Sequence, residues 1–378
     1  MRRQSVGLKA WTLKKQGDIS YGEVPQREPE AGEVRIRVKA AGICGSDIPR
    51  IYQTGAHRMP LIPGHEFSGR VEALGEGVSE TWLGKRVGIF PLMPCGTCPQ
   101  CLKKQYEMCQ HYNYLGSRTD GGFAEYVAVP LWNLLELPEE VTYRQAAMLE
   151  PASVAMHAVR GLFDKELKDG NIMQAGNSGE LSKYSVAVCG LGTIGLLVVM
   201  VLKGFGFSEI YVLGNKEAQR KMAEKLGISG EDYCDTKTQD PQQWLMEKTK
   251  GQGVNAFFEC VGKNEVVKLS LLATSPKGRV MLLGNPASDM NLDRDTYWKI
   301  LRKQLTLKGT WNSSYQGEEK DDWHLVLGAI REGRLHPEDL ITHLLAFDRL
   351  NQGLEVMRDK TEDYVKVMIQ AENKESEG

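Results

Sequence analysis

No hydrophobic run in the sequence is long enough to cross a bilayer. The longest apolar stretch, Ile194–Leu202 with its neighbours, falls well short of the ~20 residues a spanning helix needs. The basic start MRRQSVGLKAW leads into no apolar segment, so no secretory signal is expected and the chain reads as cytoplasmic. An excess of one charge sign is also missing. With 47 Lys+Arg against 49 Asp+Glu the formal net charge is -2, which offers no bulk attraction to nucleic acid or to an anionic membrane, and neither is expected as a partner. Internal repeats and low-complexity tracts are absent. What remains is a globular composition: 378 residues suggest two domains, and 41% hydrophobic residues suffice for a sizeable core.

Eight cysteines need an explanation in a reducing compartment, where disulfides are rare. Four of them lie in the pattern Cys95-x2-Cys98-x2-Cys101-x7-Cys109. Four thiolates at such spacing can close a tetrahedral shell around Zn²⁺ and leave no position for substrate, so this lobe, about residues 90–112, is expected to be a structural zinc site.

The chain changes texture twice. Residues 1–150 read as β-rich, with strands at Glu33–Ala40, Gly69–Ala73 and Glu125–Val129 and closely spaced glycine and proline, the pattern of a barrel-like β domain. From Ala152–Leu162, read as a helix, the chain becomes alternating. Strands are expected at Tyr184–Val188, Glu209–Leu213, Ala256–Cys260, Arg279–Leu283 and Leu305–Gly309. Helices are expected at Ile194–Phe205, Glu217–Leu226 and Lys263–Ala273, which implies βαβ units and a parallel sheet. The polar, glycine-rich segment 163–184 reads as a long surface loop. After about residue 311 come amphipathic helices Trp323–Arg331 and Leu350–Lys360, a closing strand Tyr364–Ile369 and a frayed tail Ala371–Gly378.

A second metal site is expected around Cys44, in Gly42-Ile43-Cys44-Gly45-Ser46-Asp47, and His65-Glu66, in Pro63-Gly64-His65-Glu66-Phe67, with Glu150 as a further acid. Alone, Cys44 reads as a buried structural cysteine and His65 as a loop histidine. Together they meet the demand of a catalytic zinc for about three protein ligands and one open position. Whether Glu66 or Glu150 is the third ligand stays open. Ser46, two residues past Cys44, is placed to start a hydroxyl relay, its alternative being a turn or cap serine.

Val186–Gly195 reads as strand, then Gly190-x-Gly192-x-x-Gly195, then helix, with Thr193 and Ile194 opening the helix. The glycines permit a tight turn and close approach of a pyrophosphate to the helix N-terminus, the signature of NAD or NADP binding. The acid expected at the end of the second strand is missing: Gly214 stands there, followed by Asn215, Lys216 and Arg220. This leaves room for a 2′-phosphate, so NADP use is a hypothesis beside NAD; the alternative is that the basic residues are a solvated helix face.

These residues, with Gly121-Gly122-Phe123-Ala124-Glu125-Tyr126, resemble the zinc-dependent medium-chain dehydrogenase/reductase family in order and over nearly the whole chain, and within it the polyol dehydrogenase branch. The resemblance rests further on Cys44–Arg50, Gly64–Gly69, Gly116–Tyr126 and Lys299–Trp311. It implies an α/β fold, a Rossmann doubly wound parallel sheet (residues 156–311) inserted into a GroES-like β-barrel catalytic domain (1–155 and 312–378), in a homodimer or homotetramer. It implies two Zn²⁺ per chain: Cys44, His65 and a glutamate for the catalytic ion, Cys95, Cys98, Cys101 and Cys109 for the structural one. The small-molecule substrate would be a polyol or a polyol phosphate such as galactitol 1-phosphate. Trp311 is expected at the cofactor, Arg50 and Arg118 at an anionic group, and Asn312 at substrate hydroxyls. The competing readings are a neutral-polyol dehydrogenase of the sorbitol or iditol kind, a zinc-free reductase of the same fold and a non-catalytic zinc- and nucleotide-binding protein.

Overall fold

Eleven residues, Glu33–Ile43, alternate buried and part-exposed along most of their length and form the long central strand of the first unit. The computed structural model describes residues 7–167, 181–286 and 288–371, and these divide into two compact units, up to Glu150 with Ser314 onward, and Pro151–Ser313. The expectation of a loop over 163–184 therefore lies partly, and that of a frayed tail beyond Ala371 wholly, outside the described residues.

In the first unit a seven-stranded sheet runs Ile341–Ala346, Lys366–Gln370, Glu33–Ile43, Glu66–Leu74, Arg86–Ile89, Leu134–Glu136, with Tyr126–Pro130 also paired to the central strand. The hairpin Gly7–Lys15/Asp18–Pro25, absent from the sequence expectations, places Trp11 and Leu13 in the core with Ile36, Val38, Phe67 and Phe123. Backbone-to-backbone packing holds the His65 turn. Gly64 has φ +95°, and a Cβ there would lie 2.5 Å from Phe123. The N–H groups of Gly121, Gly122 and Phe123 donate to the carbonyls of Ile62, Gly64 and Pro63 at 2.8–3.0 Å. The glycines of that motif therefore let one loop clasp another directly.

In the second unit six parallel strands run in the order Tyr233–Asp235, Glu209–Gly214, Ser185–Cys189, Val254–Glu259, Thr274–Leu282, Thr306–Gly309. Numbered along the unit this is 3-2-1-4-5-6, the doubly wound arrangement whose switch point lies beside the first strand. Ser185–Cys189 is buried at every residue, as a parallel strand covered on both faces must be. The helix Thr193–Gly204 buries Gly195 through Leu202 without a break, which accounts for the long apolar run in the sequence. Strand Tyr233–Asp235 and helices Pro241–Lys248 and Arg294–Lys303 are short or strongly polar elements that hydrophobic pattern did not mark. Among the described residues no helix is long and apolar enough to cross a membrane.

Candidate active site

The central strand of the first unit ends at Ile43, and Cys44 follows it into a turn. The Cys44 N–H donates to Asp47 Oδ2 at 3.0 Å. Ser46 donates to Cys44 Sγ from its N–H at 3.5 Å and its hydroxyl at 3.2 Å, contacts that orient the sulfur and favour its thiolate. Glu66 begins the neighbouring strand and pairs in register with Gly42. The outcome is a group of three donors, Cys44 Sγ, a His65 nitrogen and a Glu66 carboxylate oxygen, all within 4.8 Å of one another. His65 is 4% exposed and its Nδ1 has no hydrogen-bond partner, though Asp47 Oδ1 lies 3.7 Å away. Burial, with Glu66 and Asp47 adding their charge, pushes the Cys44 thiol up to about 12. A cluster of this charge fits a divalent cation, which takes up the thiolate and the carboxylate together.

Glu150 lies outside that triple but in the same surroundings. Its Oε1 accepts from Tyr114 Oη at 3.2 Å, and burial pushes its carboxyl up to about 7 against the pull of His65. Tyr114 packs edge-on to the His65 ring, with centroids 5.8 Å apart. Burial and the Glu150 charge hold its hydroxyl well above the usual tyrosine range. A further charge was invisible in the pattern: Lys366, 2% exposed, donates from Nζ to Ile43 O at 3.1 Å and to Glu66 Oε2. Burial works against its ammonium, but Glu66 and Cys44 outweigh it and hold Lys366 above the ordinary lysine value.

The four lobe cysteines form the second donor group. Their sulfurs stand 3.5 Å (Cys98–Cys101), 3.9 Å (Cys95–Cys101) and 4.0 Å (Cys98–Cys109) apart. Tetrahedral Zn–S bonds of ~2.3 Å place sulfurs about 3.8 Å apart, so the shell has the dimensions of a zinc site and not of a disulfide. The Thr97 backbone N–H is the main cause of a Cys95 thiol held down to about 5, and that of Gln110 lowers Cys98. These donors favour the thiolate forms a metal requires.

In the second unit Gly190 (φ +94°) ends the first strand and Gly192 caps the helix that Thr193 and Ile194 open. A Cβ on Gly195 would lie 1.9 Å from Gly190 O, which is why the third glycine is needed for strand and helix to meet. At Gly214 a Cβ would lie 2.8 Å from Tyr233 Oη and 2.9 Å from Gln219 Oε1. Gln219 instead accepts from the Asn215 N–H at 3.1 Å, and Lys216 caps the following helix.

The remaining expected residues have these surroundings. Arg50 donates to Asp47 Oδ1 and, at 3.4 Å, to Ser46 Oγ, so its guanidinium is engaged beside the metal donors. Arg118 lies over the Tyr112 ring at 4.4 Å, and Arg220 pairs with Glu224 at 3.1 Å. Trp311 is 54% exposed, and Asn312 adopts a left-handed backbone, φ 53°. Asp47, Tyr114 and Lys366 were missed. Only Asp47 had a signal, its place three residues after Cys44; Lys366 lies 300 residues from Glu66.

Comparison with known proteins agrees with this architecture. Residues 30–139 match the alcohol dehydrogenase GroES-like domain and residues 193–330 the zinc-binding dehydrogenase domain. The chain is 33% identical over 326 residues to galactitol 1-phosphate 5-dehydrogenase of Escherichia coli strain K12, covering 85% of this chain and 88% of that one. It is 31% identical over 359 residues to sorbitol dehydrogenase of Halalkalibacterium halodurans, covering 93% and 96%. A crystal structure of a zinc-binding dehydrogenase from Sinorhizobium meliloti 1021 bound to NADP superposes with a TM-score of 0.82 at 26% identity, covering 97% and 99%. The paired donor groups, the glycine turn on a doubly wound sheet and these likenesses make the chain an oxidoreductase of the zinc-dependent medium-chain dehydrogenase/reductase family, in its polyol dehydrogenase branch.

Proposed function

We propose that this enzyme oxidises a secondary alcohol of a polyol or polyol phosphate of the galactitol 1-phosphate kind, with NAD(P)⁺ as acceptor and Cys44, His65 and Glu66 as the ligands of the catalytic zinc. The observation that carries the reading is the convergence of those three donors within 4.8 Å, two of them almost fully buried. When bound, zinc polarises the substrate oxygen and eases loss of its proton, and the nicotinamide accepts the hydride. The protein's own groups do the positioning. Ser46 and Asp47 orient Cys44, and Glu150 and Tyr114 form a hydrogen-bonded pair beside the metal donors that can hold a proton. With its hydroxyl directed at Cys44 Sγ, Ser46 serves the sulfur before any relay. The lobe cysteines hold the second zinc.

A neutral polyol is the second reading, favoured by one observation: Arg50 is paired with Asp47, so its guanidinium does not stand ready for a phosphate. A screen of polyols and polyol phosphates, with each coenzyme, decides. Turnover of galactitol 1-phosphate well above sorbitol supports the leading reading, the reverse supports the second, and no turnover of either refutes both.

Coenzyme choice has its own test. The absence of a carboxylate at Gly214 supports acceptance of NADP. The expected result is kcat/KM for NADP⁺ at least comparable to that for NAD⁺. Gly214→Asp should then lower the NADP⁺ value relative to the NAD⁺ value by ~10²-fold or more, because juxtaposed like charges cost several kcal/mol, whereas the crowding a Cβ meets there affects both coenzymes. A large NAD⁺ preference in the unaltered enzyme would refute the idea.

We infer a homo-oligomer built through the second unit. The outer strand Thr306–Gly309 is exposed along its whole length and, among the described residues, has no neighbour on one side. The adjoining segments expose Trp298, Leu301 and Trp311. An open sheet edge flanked by exposed apolar side chains invites pairing with another copy. Light scattering should give at least a dimer mass, reduced by Leu307→Glu; a monomer at tens of micromolar would count against it.

A further inference from the structure

We propose that Lys366 is a positioning residue of the metal centre: it holds Glu66 by Oε2, leaves Oε1 to the metal, and offsets one carboxylate charge. The inference rests on Cys44, His65 and Glu66 being the metal site.

The placement is a product of three strands. Glu66 lies opposite Gly42 on one side of the central strand, and Met368 lies opposite Gly42 on the other. Lys366 starts that second flanking strand, two residues before Met368. Strands two places apart in a sheet are separated by about 9.5 Å, so the side chains of Glu66 and Lys366 can meet only by reaching across the strand between them. Gly42 makes the crossing possible. A Cβ there would lie 2.2 Å from Glu66 Oε2 and 2.8 Å from Lys366 Cε. Lys366 also donates to Ile43 O, the carbonyl just before Cys44, so one ammonium ties both ligand-bearing segments together.

Stability alone is a poor reason for such a pair. Both side chains are 2% exposed, and burying two ions costs each a hydration shell that their attraction barely offsets. Charge balance gives a better one. The Cys44 thiolate and the Glu66 carboxylate already match the charge of a divalent ion, and Asp47 and Glu150 add negative charge close by. Asp47 has its own partner in Arg50, and Lys366 is the cation on Glu66. Groups that hold a ligand in this way commonly change metal affinity 10–100-fold when removed.

The experiment compares the unaltered enzyme with Cys44→Ser, Lys366→Gln and Lys366→Arg, measuring zinc per chain under chelator competition and the visible bands of Co²⁺ in the catalytic site, with the Cys44→Ser spectrum as baseline. Retention of the lobe zinc is the folding control. Lys366→Gln should weaken the catalytic-site metal by ~10–100-fold and shift the cobalt bands, and Lys366→Arg should recover most of the affinity. A folded Lys366→Gln with unchanged dissociation constant and bands overturns the inference. If the glutamine variant does not fold, Lys366→Met, which suits a buried position, is read by the same two measurements and the same criterion. Should Cys44→Ser keep both zincs, the site assignment itself fails; should it lose one while the Lys366 variants change nothing, only the role of Lys366 falls.

Discussion

Cys44→Ser is expected to lower kcat/KM by ~10³-fold or more, since the electrophile it helps to hold supplies several kcal/mol to the reaction. Serine preserves the shape of the turn and can still accept the Ser46 hydrogen bonds, but its hydroxyl is a poor ligand beside a thiolate. Zinc content should fall from two per chain to one, and thermal stability should change little, because the strand ending at Ile43 and the turn at Asp47 keep their own hydrogen bonds. The joint result identifies the site: activity lost, one metal lost, fold retained. Wild-type turnover, or two zincs remaining, would refute the assignment.

The mirror image is expected at the lobe. Cys98→Ala breaks a shell in which three of the four cysteines are buried and whose local packing consists of those cysteines with Tyr106 and Tyr112. So small a cluster buries little apolar surface of its own, and structural zinc is folding free energy. The loss should spread. Tyr106 packs edge-on to Trp132 with centroids 5.1 Å apart, Trp132 packs on Tyr315 and Phe90, and Gln316 donates to Lys104 O at 2.9 Å. A loss of several kcal/mol, a part of the ~10–16 kcal/mol that structural zinc can supply, would lower Tm by roughly 10 °C in a unit of this size, with Trp132 emission as a local reporter. One zinc should again be lost, while the freshly folded variant keeps activity within ~10-fold of the parent, because this closed shell offers no position to substrate. An unchanged Tm would show that the lobe is not held by metal, and activity lost to the extent of Cys44→Ser would show that the two sites are not separable.

Much of this was legible before any coordinates, and the reason is locality. Four thiolates in fifteen residues, or three glycines in six behind an apolar strand, specify their geometry through turns of a few residues. The close spacing of sulfurs at Cys95–Cys109 and the Gly195 contact with Gly190 O follow from that. Helix and strand ends moved by a few residues, and elements such as Tyr233–Asp235 went unseen because three residues carry no usable period.

The chain's own order of residues thus determined the chemistry available: which donors exist, that one metal shell is closed and another open, and that a dinucleotide meets a glycine turn. Tertiary structure decided how those donors are charged and held. It set Glu66 beside Cys44 and His65, gave Glu150 to Tyr114, and turned Arg50 from a free anion clamp into the partner of Asp47. It also brought Lys366 to Glu66 across a glycine, from 300 residues away. Sheet register sets such meetings, and the spacing of residues along the chain carries no record of which strands become neighbours.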